Sequence, residues 1–145
     1  MKKKILIALL VILIIIQFFR IDKSTPEINI MDDFITITQP SDSVKLILNN
    51  ACYDCHSYNT NYSWYSNVAP FSWFIGNHIK DGRRHLNFAI WGSYENKKQE
   101  HKLEECIEEI QKGEMPIKSY TWTHPESNLS EKEQKLLIDF FKSKM

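Results

Sequence analysis

An unbroken apolar run from Ile5 to Ile16 follows Lys2, Lys3 and Lys4 and gives way to Gln17, Phe18, Phe19 and Arg20. A helix apolar on every side is an export signal or a membrane anchor, not a surface helix. Cleavage of a signal needs small residues at its end, and Ile15, Ile16, Phe18 and Phe19 stand there instead, so an uncleaved anchor over residues 1–21 is expected. The run is short for a spanning helix; Ile21 and snorkelling lysines bring it close to the required length. Positive charge stays on the cytoplasmic side, which places the chain from Asp22 onward outside, in a bacterium the periplasm. The first cysteine is Cys52, so a lipidated N-terminal cysteine is not indicated.

Residues 22–40 carry Pro26, scattered charge and the alternation Phe34-Ile35-Thr36-Ile37-Thr38, which predicts an extended tether ending at Pro40. The pattern then turns helical. Val44, Ile47, Leu48 and Ala51 form one stripe leading into Cys52. Pro70 as a first-turn residue, with Phe71, Phe74, Ile75 and His78 on one face, predicts a second helix stopping near Gly82. A third runs from about Glu95 to Lys112, with Leu103, Cys106, Ile107 and Ile110 as its stripe and Gly113 as its stop. A fourth begins at Ser130, with Glu133 completing a capping box, and buries Leu136, Leu137, Phe140 and Phe141. There is no internal repeat, and residues 41–145 read as one small all-α domain.

Composition narrows the partners. The 18 Lys and Arg balance the 18 Asp and Glu among 145 residues, so the broad basic surface that nucleic acid requires is missing and no nucleic-acid partner is expected. Arg83-Arg84 and Lys97-Lys98 read as solvated surface. Tyr58, Tyr62, Trp64, Tyr65, Phe71 and Trp73 make a dense aromatic stretch, either plain core or a wall for something large and flat, with Trp64 and Trp73 as the candidate contacts.

The chemistry lies in Cys52-Tyr53-Asp54-Cys55-His56, a complete C-x-x-C-H. Thiols three positions apart can add to the vinyl groups of adjacent porphyrin rings, and the following histidine is then held beneath the iron. A redox-active C-x-x-C competes for the same residues but belongs beside a strand of a βαβ unit, and the stripe before Cys52 is helical. A zinc site would take a fourth ligand from Cys106 or another histidine. A structural disulfide would leave His56 unexplained. Export favours haem, since c-type haem is attached outside the bacterial cytoplasm. Cys106, on an apolar stripe, reads as a buried small hydrophobe. For the iron's other side Met115 is the leading candidate, fixed by Pro116 after a helix stop; His78 is the alternative, ahead of His85, His101 and His124.

These residues are similar to those of the haem-binding-domain family of small bacterial cytochrome-like proteins. The resemblance is carried by Cys52, Cys55, His56 and Ser57; by Trp64-Tyr65, Ala69-Pro70, Trp73, His78 and Gly82-Arg83; by Leu86-Asn87-Phe88 and Trp91; and by Gly113-Glu114-Met115-Pro116, Tyr120 and His124-Pro125. It implies one covalent haem c in a cytochrome c-like all-α fold, with Met115 where cytochromes carry their distal methionine. A six-coordinate iron between His56 and Met115 suits an electron carrier meeting redox partner proteins. An open sixth position suits a gas or redox sensor, and an open position with an acid or base such as His78 or His85 would suit peroxidase-like chemistry.

Overall fold

The computed structural model describes residues 1–145, and the chain is entirely helical. Its α-helices are α1 (Lys2–Ile16), α2 (Phe34–Thr38), α3 (Asp42–Ala51), α4 (Tyr53–His56), α5 (Phe71–His85), α6 (Asn96–Lys112), α7 (Lys118–Thr121) and α8 (Glu131–Lys142), joined by 3₁₀ turns. The expected apolar run does form α1, but no helix is long and apolar enough to cross a membrane.

Three of the anticipated helices form much as their signals require. Ser41 caps α3 by accepting from the Val44 N–H, and Val44, Ile47 and Leu48 are buried. Gly113 ends α6 in the left-handed conformation at φ 71°, where a residue without Cβ is at no steric cost. At α8 the Ser130 hydroxyl takes the Glu133 N–H while the Glu133 carboxylate takes the Ser130 N–H, a capping box with both halves present. Leu137 and Phe141 are the residues that α8 buries; Leu136 is exposed and Phe140 partly so.

The fourth, α5, departs from expectation twice. It runs through Gly82 to His85, and the side chains it buries are Ser72 and Ile79, not Phe71 and Phe74. Gly82 is an interior residue at a close approach: a Cβ there would stand 2.8 Å from the Cys55 carbonyl oxygen. Helices α4 and α5 therefore pack backbone to backbone at the cysteine motif.

The largest correction concerns residues 22–40. The alternation at 34–38 is a helix, not extended chain, capped by Asp33, whose carboxylate accepts from the Ile35 and Thr36 N–H groups. Phe34 is fully buried, its ring 4.8 Å from those of Phe88 and Trp91. This segment belongs to the core, because a period-2 reading of five residues cannot distinguish a strand from one helical turn entered through a strong cap. The core joins Phe34 to Leu48, Tyr53, Phe88, Trp91, Leu103, Ile110, Leu137 and Phe141. Its aromatic centre lies there and not in residues 58–73.

Candidate functional site

The C-x-x-C-H pentad is a single helical turn. Cys52, at φ −126°, breaks the chain direction between α3 and α4. Its carbonyl then accepts from the Cys55 N–H at 3.2 Å and the His56 N–H at 2.9 Å. Cys52 and Cys55 thus stand one turn apart, and all three cysteines are free thiols.

His56 is held at one ring nitrogen by two backbone carbonyls. Its Nδ1 lies 3.1 Å from the carbonyl oxygens of both Gly82 and Leu86. Two oxygens that can only accept fix the tautomer: Nδ1 carries the proton and Nε2 the lone pair. Nε2 has no hydrogen-bond partner, and no fully buried polar side-chain atom is unpaired, so Nε2 opens onto a cavity. Burial holds the imidazole below its ordinary pKa, partly opposed by the two carbonyls, which keeps the ring neutral. A neutral imidazole with Nδ1–H on a carbonyl and Nε2 free has the arrangement in which histidines ligate metals.

The turn is braced from outside. Ser57, wholly buried, donates to the Tyr53 carbonyl at 2.7 Å. Arg83 donates through Nε to the Ser57 carbonyl at 2.7 Å and through its guanidinium to Thr60 Oγ1 at 2.8 Å. Tyr120 donates to Asp54 Oδ2 at 2.8 Å, tying the motif to the segment after Met115. The Tyr53 ring stacks on Phe88 at 5.3 Å, and its hydroxyl donates to Asp33 at 3.2 Å. Arg83 is therefore a support of the motif and not solvated surface; Arg84, paired with Asp81 in the open, fits that reading. Sequence reasoning missed the Asp54–Tyr120 latch and the Leu86 carbonyl, since nothing local marks a contact across 66 residues or a backbone acceptor.

A cavity of ≈ 540 Å³ is lined by Cys52, Cys55, His56, Met115 and His78, with Leu86, Phe88, Ile110, Leu129, Leu137 and Phe141 among its apolar walls. Its size is that of a small-molecule site, about 300–1,000 Å³. Met115 reaches it because the α6 cap turns the chain back, the Met115 N–H donating to the Glu109 carbonyl at 3.2 Å. Cys106 lines the same cavity, its thiol pushed up chiefly by burial. His78 lines it too; its Nδ1 is 2.8 Å from the Phe74 carbonyl, so its Nε2 is also free.

A second cavity of ≈ 430 Å³ adjoins the first through Cys55, His78, Ile117 and Tyr120 and is lined by Tyr62, Trp64, Val68, Phe71 and Phe74. Trp64 is a wall of this second cavity, 77% exposed. Trp73 lines neither cavity. Its indole donates to the Phe19 carbonyl at 2.6 Å, because residue 73 sits on the face of α5 that meets the chain leaving α1.

The donor set suits haem better than its competitors. Burial above all pushes the Cys52 thiol up to about 12 and the Cys55 thiol up to about 11, the reverse of the lowered pKa that a redox-active C-x-x-C uses. No three His, Cys, Asp or Glu side chains come together to hold a metal ion, so zinc lacks its ligand set. An oriented imidazole and apolar walls on one cavity are what a ligated porphyrin needs, and Cys52 and Cys55 line the same cavity. No curated protein and no solved structure matches the chain. A family model described as a haem-binding domain matches residues 11–143, and the chain belongs to that family of haem-binding proteins.

Proposed function

We propose that this haem-binding protein is a c-type cytochrome with one covalent haem, held at the bacterial inner membrane by α1 and passing electrons between redox partner proteins on the periplasmic side. The observation that carries it is His56: Nδ1–H bound to two carbonyls and Nε2 free toward a cavity that Cys52, Cys55 and Met115 also line. Bound haem supplies a one-electron iron couple. The chain's own residues supply the rest. Cys52 and Cys55 are the attachment thiols, and burial keeps them protonated until they are used. His56 would hold the iron through Nε2, and Met115 would offer its sulfur from the loop after Gly113. Leu86, Phe88, Leu137 and Phe141 line the cavity with apolar side chains that would keep water from a bound haem. For α1, Lys2, Lys3 and Lys4 ahead of an apolar run support a membrane location with the haem domain outside.

The alternative distal ligand is His78, which lines the same cavity and whose Nδ1 is taken by the Phe74 carbonyl. Absorption spectra of oxidised and reduced protein, with and without carbon monoxide, separate the readings. A six-coordinate carrier binds carbon monoxide slowly or not at all, and Met115→Ala opens the iron and admits it. Rapid binding by the wild type overturns the carrier in favour of a sensor. A spectrum unchanged in Met115→Ala assigns the position to His78. Cys52→Ala with Cys55→Ala abolishes covalent haem; haem surviving denaturation on that double variant defeats the c-type reading.

A further inference from the structure

The chain leaving α1 has no slack. The Gln17 side chain holds both backbone groups of one residue, Nε2 donating to the Ala69 carbonyl at 3.0 Å and Oε1 accepting the Ala69 N–H at 2.9 Å. Two residues on, the Phe19 carbonyl takes the Trp73 indole. At Gly76 a Cβ would lie 2.8 Å from Ile21 Cγ2, so this glycine admits the isoleucine. Lys23 then donates to Ser66 and Asn67 at 2.8 and 2.7 Å. Residues 17–23 are therefore clamped along the start of α5 from the first position after α1.

Helix α1 has 15 residues, of which the apolar run Ile5–Ile16 makes up 12, about 18 Å at 1.5 Å each, against a hydrocarbon core of about 30 Å. A helix shorter than the core is accommodated by thinning of the bilayer and by flanking side chains reaching the interface, which leaves the groups fixed to its end beside the lipid headgroups. Fixed to its end are Phe18, 82% exposed, and Phe71, 65% exposed, with Phe19, Val68 and Phe74 also open to solvent. Arg20, exposed beside them, can reach lipid phosphate while its stem stays in apolar surroundings.

We propose that Phe18, Phe19, Val68 and Phe71 at the N-terminal end of α5 form a membrane-docking face that seats the haem domain on the lipid surface in one orientation. This rests on the membrane-anchored reading of α1. Apolar continuity from α1 into the domain, through clamps that permit no standoff, selects lipid as the occupant. The second cavity, which Val68, Phe71 and Phe74 line, then lies beside lipid and not in open solvent.

The haem-loaded full chain is placed in vesicles of phosphatidylethanolamine and phosphatidylglycerol containing a phospholipid with a diazirine high on its acyl chain. After irradiation, adducts are mapped by peptide mass spectrometry. Labelling of α1, of residues 18–19 and of 68–74, about tenfold above that of α6 and α8, is the expected result. Label in α1 but not in 68–74 overturns the docking face and leaves the anchor standing. Label in neither removes the anchored reading itself. Equal label on α6 and α8 also overturns the proposal, since the domain then has no preferred face. Phe18→Ser with Phe71→Ser, its haem spectrum intact, is expected to bring 68–74 down to background; undiminished label there overturns the role of those two rings.

Discussion

At the scale of single residues, the site depends on how closely α5 approaches the cysteine turn. Gly82 both supplies a carbonyl to His56 and leaves the space that the Cys55 backbone occupies. Gly82→Ala places a methyl group 2.8 Å from a carbonyl oxygen and 3.3 Å from the Cys55 carbonyl carbon and Cβ. These backbone-linked atoms have little room to yield, so α5 must move off α4, carrying the Gly82 and Leu86 carbonyls away from Nδ1. Overpacking of this kind costs about 1–3 kcal/mol. The urea midpoint of Gly82→Ala is expected to fall with an unchanged m-value, and the yield of haem-loaded protein with it. An unaltered midpoint would mean that the two helices can separate without loss.

At the scale of elements, α8 shows how much one cap contributes. The Ser130 hydroxyl and N–H hold the Glu133 carboxyl below its ordinary value of 4.5, chiefly through the Ser130 side chain. A carboxylate with a lowered folded pKa stabilises the protein above the unfolded value, and its contribution fades as pH falls through the folded one. Ser130→Ala is expected to lower Tm by about 4 °C near neutrality. The gap between variant and wild type should be flat above pH 5 and narrow below about pH 4. Thermal melts at several pH values check this, and a gap that widens in acid would contradict the capping account.

At the scale of the whole molecule, residues 33–38, ahead of Ser41, are packed into the domain. Phe34 is 0% exposed and meets Phe88, Trp91, Phe140 and Phe141 within 6.1 Å. Phe34→Ala is expected to cost about 3–5 kcal/mol in chemical denaturation. A free tether would lose nothing by the change. Because Tyr53 stacks on Phe88 in the same cluster, the cost should also appear as weaker retention of the cysteine turn's structure in hydrogen exchange.

What could be read along the chain were features whose cause is local. Helix stripes, the Gly113 stop, the Ser130–Glu133 box and the C-x-x-C-H turn each follow from a few adjacent residues, and α3, α6, α8 and the cysteine motif stand where those residues put them. The tertiary structure decided whatever depends on distant partners. It sent Trp73 to the Phe19 carbonyl, set Trp64 at the rim of a second cavity, and made residues 34–38, expected as extended tether, a capped helix in the core. It chose the tautomer of His56, since the two carbonyls that fix it lie 26 and 30 residues away. Local sequence sets which conformations a segment prefers; which side chain faces a cavity, and which nitrogen carries the proton, is set only when segments far apart in the chain exclude water together.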